Sequence, residues 1–349
     1  MHSLPPLEAP VDPVEALRRV AFLLERSRQH SRRVEAFRGA VAVVRETGEG
    51  GVVQRVEDGT LTELAGIGKS TAGVIEQAVR GELPDYLATQ QEEHGGPLVG
   101  GGEAYAEAIV GDCHLHSDWS DGGSPIDEMV LTAVELGHEW MVLTDHSPRL
   151  RIANGLSAQR LAQQLDLLGR INASLGDAFT VMSGIEVDIL DDGSLDQTEE
   201  MLGRLDLVTA SVHSKLKMGK DAMTRRILAA VANPRVNVLG HCTGRLVTGS
   251  RGTRPQSEFD ARAVFEACAE HDVAVEINSR PERCDPPDEL IELALELGCL
   301  FAIDSDAHAP GQLEMKAYGA ERAERLGVPL ERIVTTWDVA KVRDWARPA

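Results

Sequence analysis

Two histidines one residue apart carry the first sign of chemistry in this chain. They lie in Gly111-Asp112-Cys113-His114-Leu115-His116-Ser117-Asp118-Trp119-Ser120-Asp121-Gly122. A short apolar run (Ala108, Ile109, Val110) leads in and Gly122-Gly123 closes the stretch, which reads as a strand running out into a loop. Alternate residues of a strand face the same way, so His114 and His116 point together. Two imidazoles fill a core poorly but hold a metal ion well, and Asp121 follows on the loop with a hard oxygen. One His-x-His leaves a structural role open. The motif has company, however. Thr144-Asp145-His146, Gly184-Ile185-Glu186, Ser211-Val212-His213, Gly240-His241 and Asp304-Ser305-Asp306-Ala307-His308 each fall in or just after an apolar run. His138 and His271, by contrast, lie in helical stretches.

The elements that must position these groups are seven strand-like runs: 109–114, 140–144, 179–187, 207–212, 236–239, 273–277 and 300–303. Helical stretches fit between them at 126–136, 158–174, 222–232, 259–271 and 287–297. Such alternation predicts a parallel sheet, here a closed barrel. All strand C-termini of a parallel barrel share one mouth. His114, His116, Asp121, His146, Glu186, His213, His241, Asp306 and His308 would then meet there. A single strand-end histidine is commonly structural, but nine such coincidences in register are not.

Ahead of this lies a different region. Residues 1–12 read as a loose arm, and from Pro13 apolar residues recur at three and four: Val14, Leu17, Val20, Ala21, Leu24, then Val34, Phe37, Ala40, Val41, Val44. Arg18, Arg19, Arg26, Arg28, Arg32, Arg33, Arg38 and Arg45 crowd these two helices. They are either a solvated face or cations for a nucleic-acid backbone. Leu61-Thr62-Glu63-Leu64-Ala65-Gly66-Ile67-Gly68-Lys69-Ser70 then reads as helix, tight turn, helix. The two glycines let the chain turn sharply and expose N–H groups at a helix N-terminus, where a phosphate can sit. Gly66, Gly68 and Lys69 are the candidate DNA contacts; the alternative is a hairpin used only for packing. Gly95-Gly96-Pro97-Leu98-Val99-Gly100-Gly101-Gly102 reads as a linker. The expected division is a helical domain at 13–94, a linker at 95–103 and a second domain at 104–345.

Taken together, His-x-His with Ser-Asp-Gly, Thr-Asp-His, the lone Glu186, Ser-Val-His, Gly-His and Asp-x-His resemble the PHP (polymerase and histidinol phosphatase) family over residues 110–340. The resemblance implies an α/β fold, a distorted seven-stranded (β/α)7 barrel, with three divalent transition-metal ions. It implies one ion on His114, His116, Glu186 and Asp306, and a second on His213 and His241 with Glu186 bridging. The third would take Asp121, His146 and His308. Ala153-Asn154-Gly155-Leu156-Ser157, Gly240 to Arg245 and Glu276-Ile277-Asn278 resemble the PHP domain attached to bacterial family X DNA polymerases. Glu35-Ala36-Phe37-Arg38 and the Gly-Ile-Gly turn resemble their small all-α helix-hairpin-helix domain, which grips DNA backbones without reading sequence. The connecting stretch from Pro84 to Gly102, about 20 residues, has no room for a nucleotidyltransferase domain between the two, so polymerisation is not expected. Cys242 stands where that branch would carry proline.

Imidazole and carboxylate donors suit Zn, Mn or Fe; thiolate ligation would need Cys242. Clustered metals acidify and orient a water and neutralise phosphoryl charge, so the expected reaction is hydrolysis of a phosphate ester. Asp306, Glu186, His116 and Arg283 are the candidate catalytic residues. Arg283, Lys215, Lys217 or Arg245 could clamp the substrate phosphate, or form surface salt bridges. Asp112 and Asp145 face away from the ligands beside them and are candidate supports. Three functions compete: a DNA 3′-end phosphoesterase (3′-5′ exonuclease or 3′-phosphatase), a small-molecule phosphatase of the histidinol-phosphate type, and a non-catalytic metal-stabilised scaffold. The complete ligand set argues against the scaffold, since a costly polar site without function tends to acquire gaps.

At 349 residues the chain can form one large and one small domain. Its five cysteines lack C-x-x-C spacing and read as reduced thiols. No run of about 18 apolar residues and no leader-like segment is seen, so a cytoplasmic protein with no membrane partner is expected. The net charge of -21 argues against a generally nucleic-acid-coating surface but allows a local basic patch. Nothing in the sequence fixes the oligomeric state.

Overall fold

Alternate residues of the strands go to two different cores, and that division places the site. In the computed structural model, which describes residues 3–29, 31–249 and 252–347, six strands form one curled sheet. They are β1 (Trp140–Leu143), β2 (Thr180–Asp188), β3 (Leu207–Ser211), β4 (Val238–Leu239), β5 (Ala274–Asn278) and β6 (Phe301–Asp304). All pair in parallel, in sequential order. Val187, Val208, Ala210, Val275, Ile277 and Ile303 pack outward against helix residues such as Met223, Ile227, Phe265 and Ile291. Trp140, Val142, Met182, Leu207, Val238, Ala274 and Ala302 form a second, inner cluster with Val334 and Val342. Above that apolar floor the inward-facing positions turn polar: Thr144 on the β1 line, Glu186 and Asp188 on β2, Thr209 and Ser211 on β3, Glu276 and Asn278 on β5, Asp304 on β6. All are buried.

The strand count is six, not the expected seven. The run 109–114 forms no strand; Leu115 makes single bridges to Leu143 and Ala307. Its carbonyls do pair on both sides. Val142 N–H donates to Asp112 O at 2.8 Å and Asp306 N–H to His114 O at 2.9 Å. N–H groups in and just after the run go to side chains instead: Cys113 to Asp304 Oδ1 at 2.8 Å, Leu115 to Thr144 Oγ1 at 2.9 Å and Ser117 to Asp145 Oδ1 at 2.8 Å. Side-chain acceptors replace the ladder and the segment stays irregular.

The structure divides into two compact units. One holds the sheet and comprises Leu98–His308 and the chain from Leu313 onward. The other comprises Ser3–Pro97 with Ala309–Gln312. Its helices are α1 (Pro13–Arg26), α2 (Ser31–Thr47), α3 (Glu49–Asp58), α4 (Lys69–Val79) and α5 (Asp85–His94). Asp12 caps α1 by accepting from Val14 and Glu15 N–H at 2.8 and 3.1 Å. Residues 61–63 form one turn of 3-10 helix, so the helix before the Gly-Ile-Gly turn is α3. Gly66 has φ +93 and lies close to Val43, where a Cβ would come within 3.2 Å. Ile67 is buried, and Gly68, Lys69 and Ser70 are exposed at the start of α4. Gly68 N–H is already engaged, donating to Thr71 Oγ1 at 2.9 Å.

Two expectations for this unit change. The arm is not loose from residue 3 onward, since Leu7 N–H donates to Gln91 Oε1 at 2.7 Å and Arg19 donates to Pro5 O at 2.5 Å; residues 1 and 2 lie outside the described residues. Nor are all the arginines a free cationic face. Arg18, Arg19 and Arg26 are buried. Arg18 pairs with Glu15 at 2.7 Å, Arg38 with Glu25 at 2.7 Å, and Arg26 donates to Gly96 O at 2.5 Å.

Candidate metal centre

Glu186 stands at the middle of the site because β2 runs further than its neighbours and carries this carboxylate on its inner face. Oε1 is 3.2 Å from His213 Nε2 and 3.0 Å from His241 Nε2. Oε2 is 3.3 Å from His114 Nε2, 3.6 Å from His116 Nε2 and 2.8 Å from His146 Nδ1. Asp306 Oδ1 lies 3.5 Å from His116 Nε2, and Asp121 Oδ1 lies 3.4 Å from both His146 Nε2 and His308 Nε2. All nine residues singled out in the sequence therefore gather in one place.

Three overlapping groups are close enough to hold an ion: His116, Asp121, His146 and His308; His114, His116 and Glu186; His146, Glu186 and His213. The donor atoms fit that role. Both oxygens of Glu186, His114 Nε2, His116 Nε2 and His146 Nδ1, all of which face the centre, are buried with no partner in hydrogen-bond geometry. Leaving that many polar atoms unsatisfied is costly unless something binds between them.

The electrostatics agree. Burial pushes His146 down, but Glu186 and Asp121 outweigh it and raise its pKa to about 10. Burial, with His308 and His146 nearby, lowers His116 to about 3. Burial opposes ionisation of Glu186 and Asp306, yet the surrounding cations hold both well below the usual carboxylate range: His114, His213 and His146 around Glu186, Arg283 and His114 around Asp306. Without ions the carboxylates are ionised and part of the histidine set carries protons, which a metal must displace.

A layer beneath aims these ligands. Glu276 Oε1 accepts from His114 Nδ1 at 2.6 Å, which turns Nε2 toward Glu186. Asp188 holds His213 Nδ1 in the same way. Asn278 Nδ2 donates to Asp306 Oδ2 at 3.0 Å. Asp145 accepts from Ser117 Oγ at 2.6 Å and Gln164 Nε2 at 2.7 Å, anchoring the loop that carries Asp121. Asp112 Oδ1 accepts from His114 N–H at 3.2 Å. Asp112 and Asp145 thus support the ligands beside them. No role was read for Glu276 or Asp188 from the sequence. The signal was available: both are acids at inward positions of strands whose outward positions are aliphatic.

The candidate phosphate clamps separate. Arg283 Nε lies 3.0 Å from Asp306 Oδ2, beside the centre. Arg245 is committed to backbone, donating to Arg283 O at 3.1 Å and Cys284 O at 2.9 Å. Lys215 is exposed and paired with Asp191, and Lys217 is exposed. Arg280, not singled out earlier, lies 3.0 Å from His308 Nδ1 and donates to Asp306 O at 3.1 Å. Cys242 is buried, and burial followed by Asp285 pushes its thiol well above the usual value in the ion-free protein.

Comparison with known proteins gives this arrangement its class. The PHP domain profile matches residues 112–280. A "DNA polymerase/3'-5' exonuclease PolX" of Bacillus subtilis is 36% identical over 217 residues, 62% of this chain and 37% of that protein. The chain thus spans little more than a third of that relative. A "Probable phosphatase" of Caldicellulosiruptor saccharolyticus is 30% identical over 206 residues, 56% of this chain and 79% of that protein. A crystal structure of histidinol phosphate phosphatase from Lactococcus lactis, with zinc, L-histidinol and phosphate, aligns with TM-score 0.45 and 19% identity, covering 63% of this chain and 94% of that one. The class is that of metal-dependent phosphoesterases, hydrolases acting on ester bonds. Within it, the chain belongs to the PHP domain family.

Proposed function

We propose that the protein hydrolyses phosphate esters at DNA 3′ ends, as a 3′-5′ exonuclease or 3′-phosphatase, with the nine gathered residues holding three divalent ions. The observation that carries the phosphoesterase reading is the set of unpartnered donor atoms around Glu186. His114, His116, Glu186 and Asp306 would hold one ion, Glu186, His213 and His241 a second, and Asp121, His146 and His308 a third, completing a PHP-type barrel whose seventh position is the irregular 109–116 segment. Such ions, being Zn, Mn or Fe, supply phosphoryl charge neutralisation and an acidified water. The chain's own part is orientation. Glu276 and Asp188 fix two imidazole tautomers, Asp306 and Glu186 stay ionised, and Arg283 offers a cation to a phosphate next to Asp306.

The DNA reading is supported by the name of the 36% identical relative and by the Gly66-Ile67-Gly68 turn, read as a helix-hairpin-helix. Because Gly68 N–H is engaged with Thr71, the phosphate would be taken by the following first turn of α4 and the Lys69 side chain. A second reading, a small-molecule phosphatase, is favoured by the phosphatase-named relatives, which the chain matches over 79% and 95% of their length.

The two separate on Gly68→Val. Nothing lies within 4 Å of a Cβ there and the φ is not positive, so the fold should tolerate the change. A valine in front of α4 should weaken DNA binding and DNA hydrolysis together, leaving hydrolysis of a small chromogenic phosphate ester unchanged. Undiminished DNA hydrolysis would make the hairpin structural and favour the small-molecule phosphatase.

A further inference from the structure

Among the described residues, Ile152 is 95% exposed, while the next most exposed large apolar side chain, Val247, stands at 45%. Ile152 is not on a frayed segment. Its loop leaves the sheet directly after His146 and is closed by its own backbone: Ala153 N–H to Leu150 O at 3.0 Å, Asn154 N–H to Arg151 O at 3.1 Å, Leu156 N–H to His146 O at 2.7 Å. Gly155 packs so close that a Cβ would fall 1.8 Å from Ser147 O. Ala153 and Leu156 are buried beneath. A rigid loop therefore holds an isoleucine in water although burying such a side chain is favourable by about 1.5–3 kcal/mol. Arg149 and Arg151 flank it, both exposed, with no side-chain hydrogen bond or ion pair among the described residues, in a chain of net charge -21. The loop is also tied to the one that carries Asp121. Asn154 Nδ2 donates to Trp119 O at 3.2 Å, and Arg160 joins Asn154 O, at 2.7 Å, to that same Trp119 carbonyl. The position of Ile152 is thus fixed relative to the metal centre.

We infer that this loop engages a single-stranded polynucleotide: Ile152 packs against an unpaired base near the 3′ end while Arg149 and Arg151 take flanking phosphates. The inference rests on the phosphoesterase reading and deepens it by naming the substrate class. An apolar side chain set between two exposed arginines matches a strand, which offers flat bases between phosphates; charge complementarity favours it over an acidic protein surface, which offers no such bases. A small phosphate monoester has no use for either feature.

The test uses the full chain with Mn, a 3′-labelled single-stranded DNA, and bis(p-nitrophenyl) phosphate as the small ester. Ile152→Ala should raise KM for the strand about tenfold and leave the small ester within about twofold. Arg149→Ala with Arg151→Ala should lower the log–log salt slope of strand binding by about 1.4, from roughly 0.7 per phosphate. A 2-aminopurine placed near the 3′ end should lose its binding-induced fluorescence change in Ile152→Ala. Equal losses on both substrates would mean that the loop only supports the metal centre, and overturn the inference. So would unchanged strand kinetics in both variants, the result expected if the loop contacts a protein. In either case a wild type that cleaves the strand leaves the functional reading standing. A wild type that hydrolyses only the small ester removes both.

Discussion

Glu276→Gln removes one charge and keeps the shape, and its effect can be worked from the contacts. Glu276 Oε1 accepts from His114 Nδ1 at 2.6 Å, and Oε2 accepts from the His241 backbone N–H and, at 3.3 Å, from Asn278 Nδ2. Every partner is a donor. A glutamine must point its own NH2 at one of them, and the side chain is fully buried, out of reach of bulk solvent. One charge-assisted hydrogen bond becomes a donor–donor contact, a change of about 1.5–3 kcal/mol. If the amide turns its NH2 to His114, the imidazole loses the acceptor that fixes its tautomer. Metal affinity should then fall by about 10–100-fold. The assay is calorimetric titration of the metal-free protein with Mn or Zn, with kcat for a small phosphate ester measured beside it. A thermal midpoint of the metal-free variant close to wild type would show that the fold survives. Unchanged affinity and unchanged kcat in a folded Glu276→Gln protein would refute the assignment of His114 as a ligand aimed by Glu276.

Asp306→Ala and His116→Ala should each abolish hydrolysis while leaving far-ultraviolet circular dichroism near wild type, because both lie above the apolar floor of the sheet; retained turnover in either would move the chemistry elsewhere. With His146 raised to about 10 in the ion-free protein, metal binding at pH 8 must release protons, so affinity should rise with pH; titrations in two buffers of different ionisation enthalpy giving the same heat would contradict this. Burial, with Lys316 nearby, holds His138 well below the usual histidine value, with neither ring nitrogen hydrogen-bonded. The unfolded chain takes up that proton below about pH 6.5 and the folded one does not, so stability present above 6.5 is lost as pH falls, by up to about 1.4 kcal/mol per unit. The thermal midpoint of His138→Leu should therefore drop less than that of wild type between pH 6.5 and 5, and parallel curves would rule the effect out.

Much of this site was legible because a parallel sheet converts sequence spacing into convergence. His146, Glu186, His213 and Asp306 sit near or just past the ends of apolar runs that alternate with helical stretches, and in a parallel sheet such ends share one mouth. The supports were harder to see. Glu276 and Asp188 lie on the same inward lines, but the sequence does not say which inward acid binds an ion and which orients a histidine; that depends on depth, and Glu276 lies deeper, under His114. The missing strand failed for a local reason. The segment 109–116 has strand-like composition, but Asp304 and Thr144 capture the N–H groups of Cys113 and Leu115, and Asp145 that of Ser117 just beyond it, contacts that no spacing rule predicts. In the helical unit the two arginine-rich helices were placed correctly, yet arginine count did not report arginine availability, since Arg18, Arg19, Arg26 and Arg38 turn to carboxylates and carbonyls of their own unit.

The proposal is that Glu186 and the eight side chains gathered around it hold ions with which this chain hydrolyses phosphate esters at DNA 3′ ends. Its most direct test is one preparation analysed twice: elemental analysis of the purified protein, then product analysis on a 3′-labelled single strand beside a small phosphate ester. About two to three transition-metal ions per chain, with label released from the 3′ end and activity lost on chelation and regained with Mn or Zn, is the predicted result. No bound metal, no rise in thermal midpoint on adding Mn or Zn, and no hydrolysis of either substrate would contradict the account.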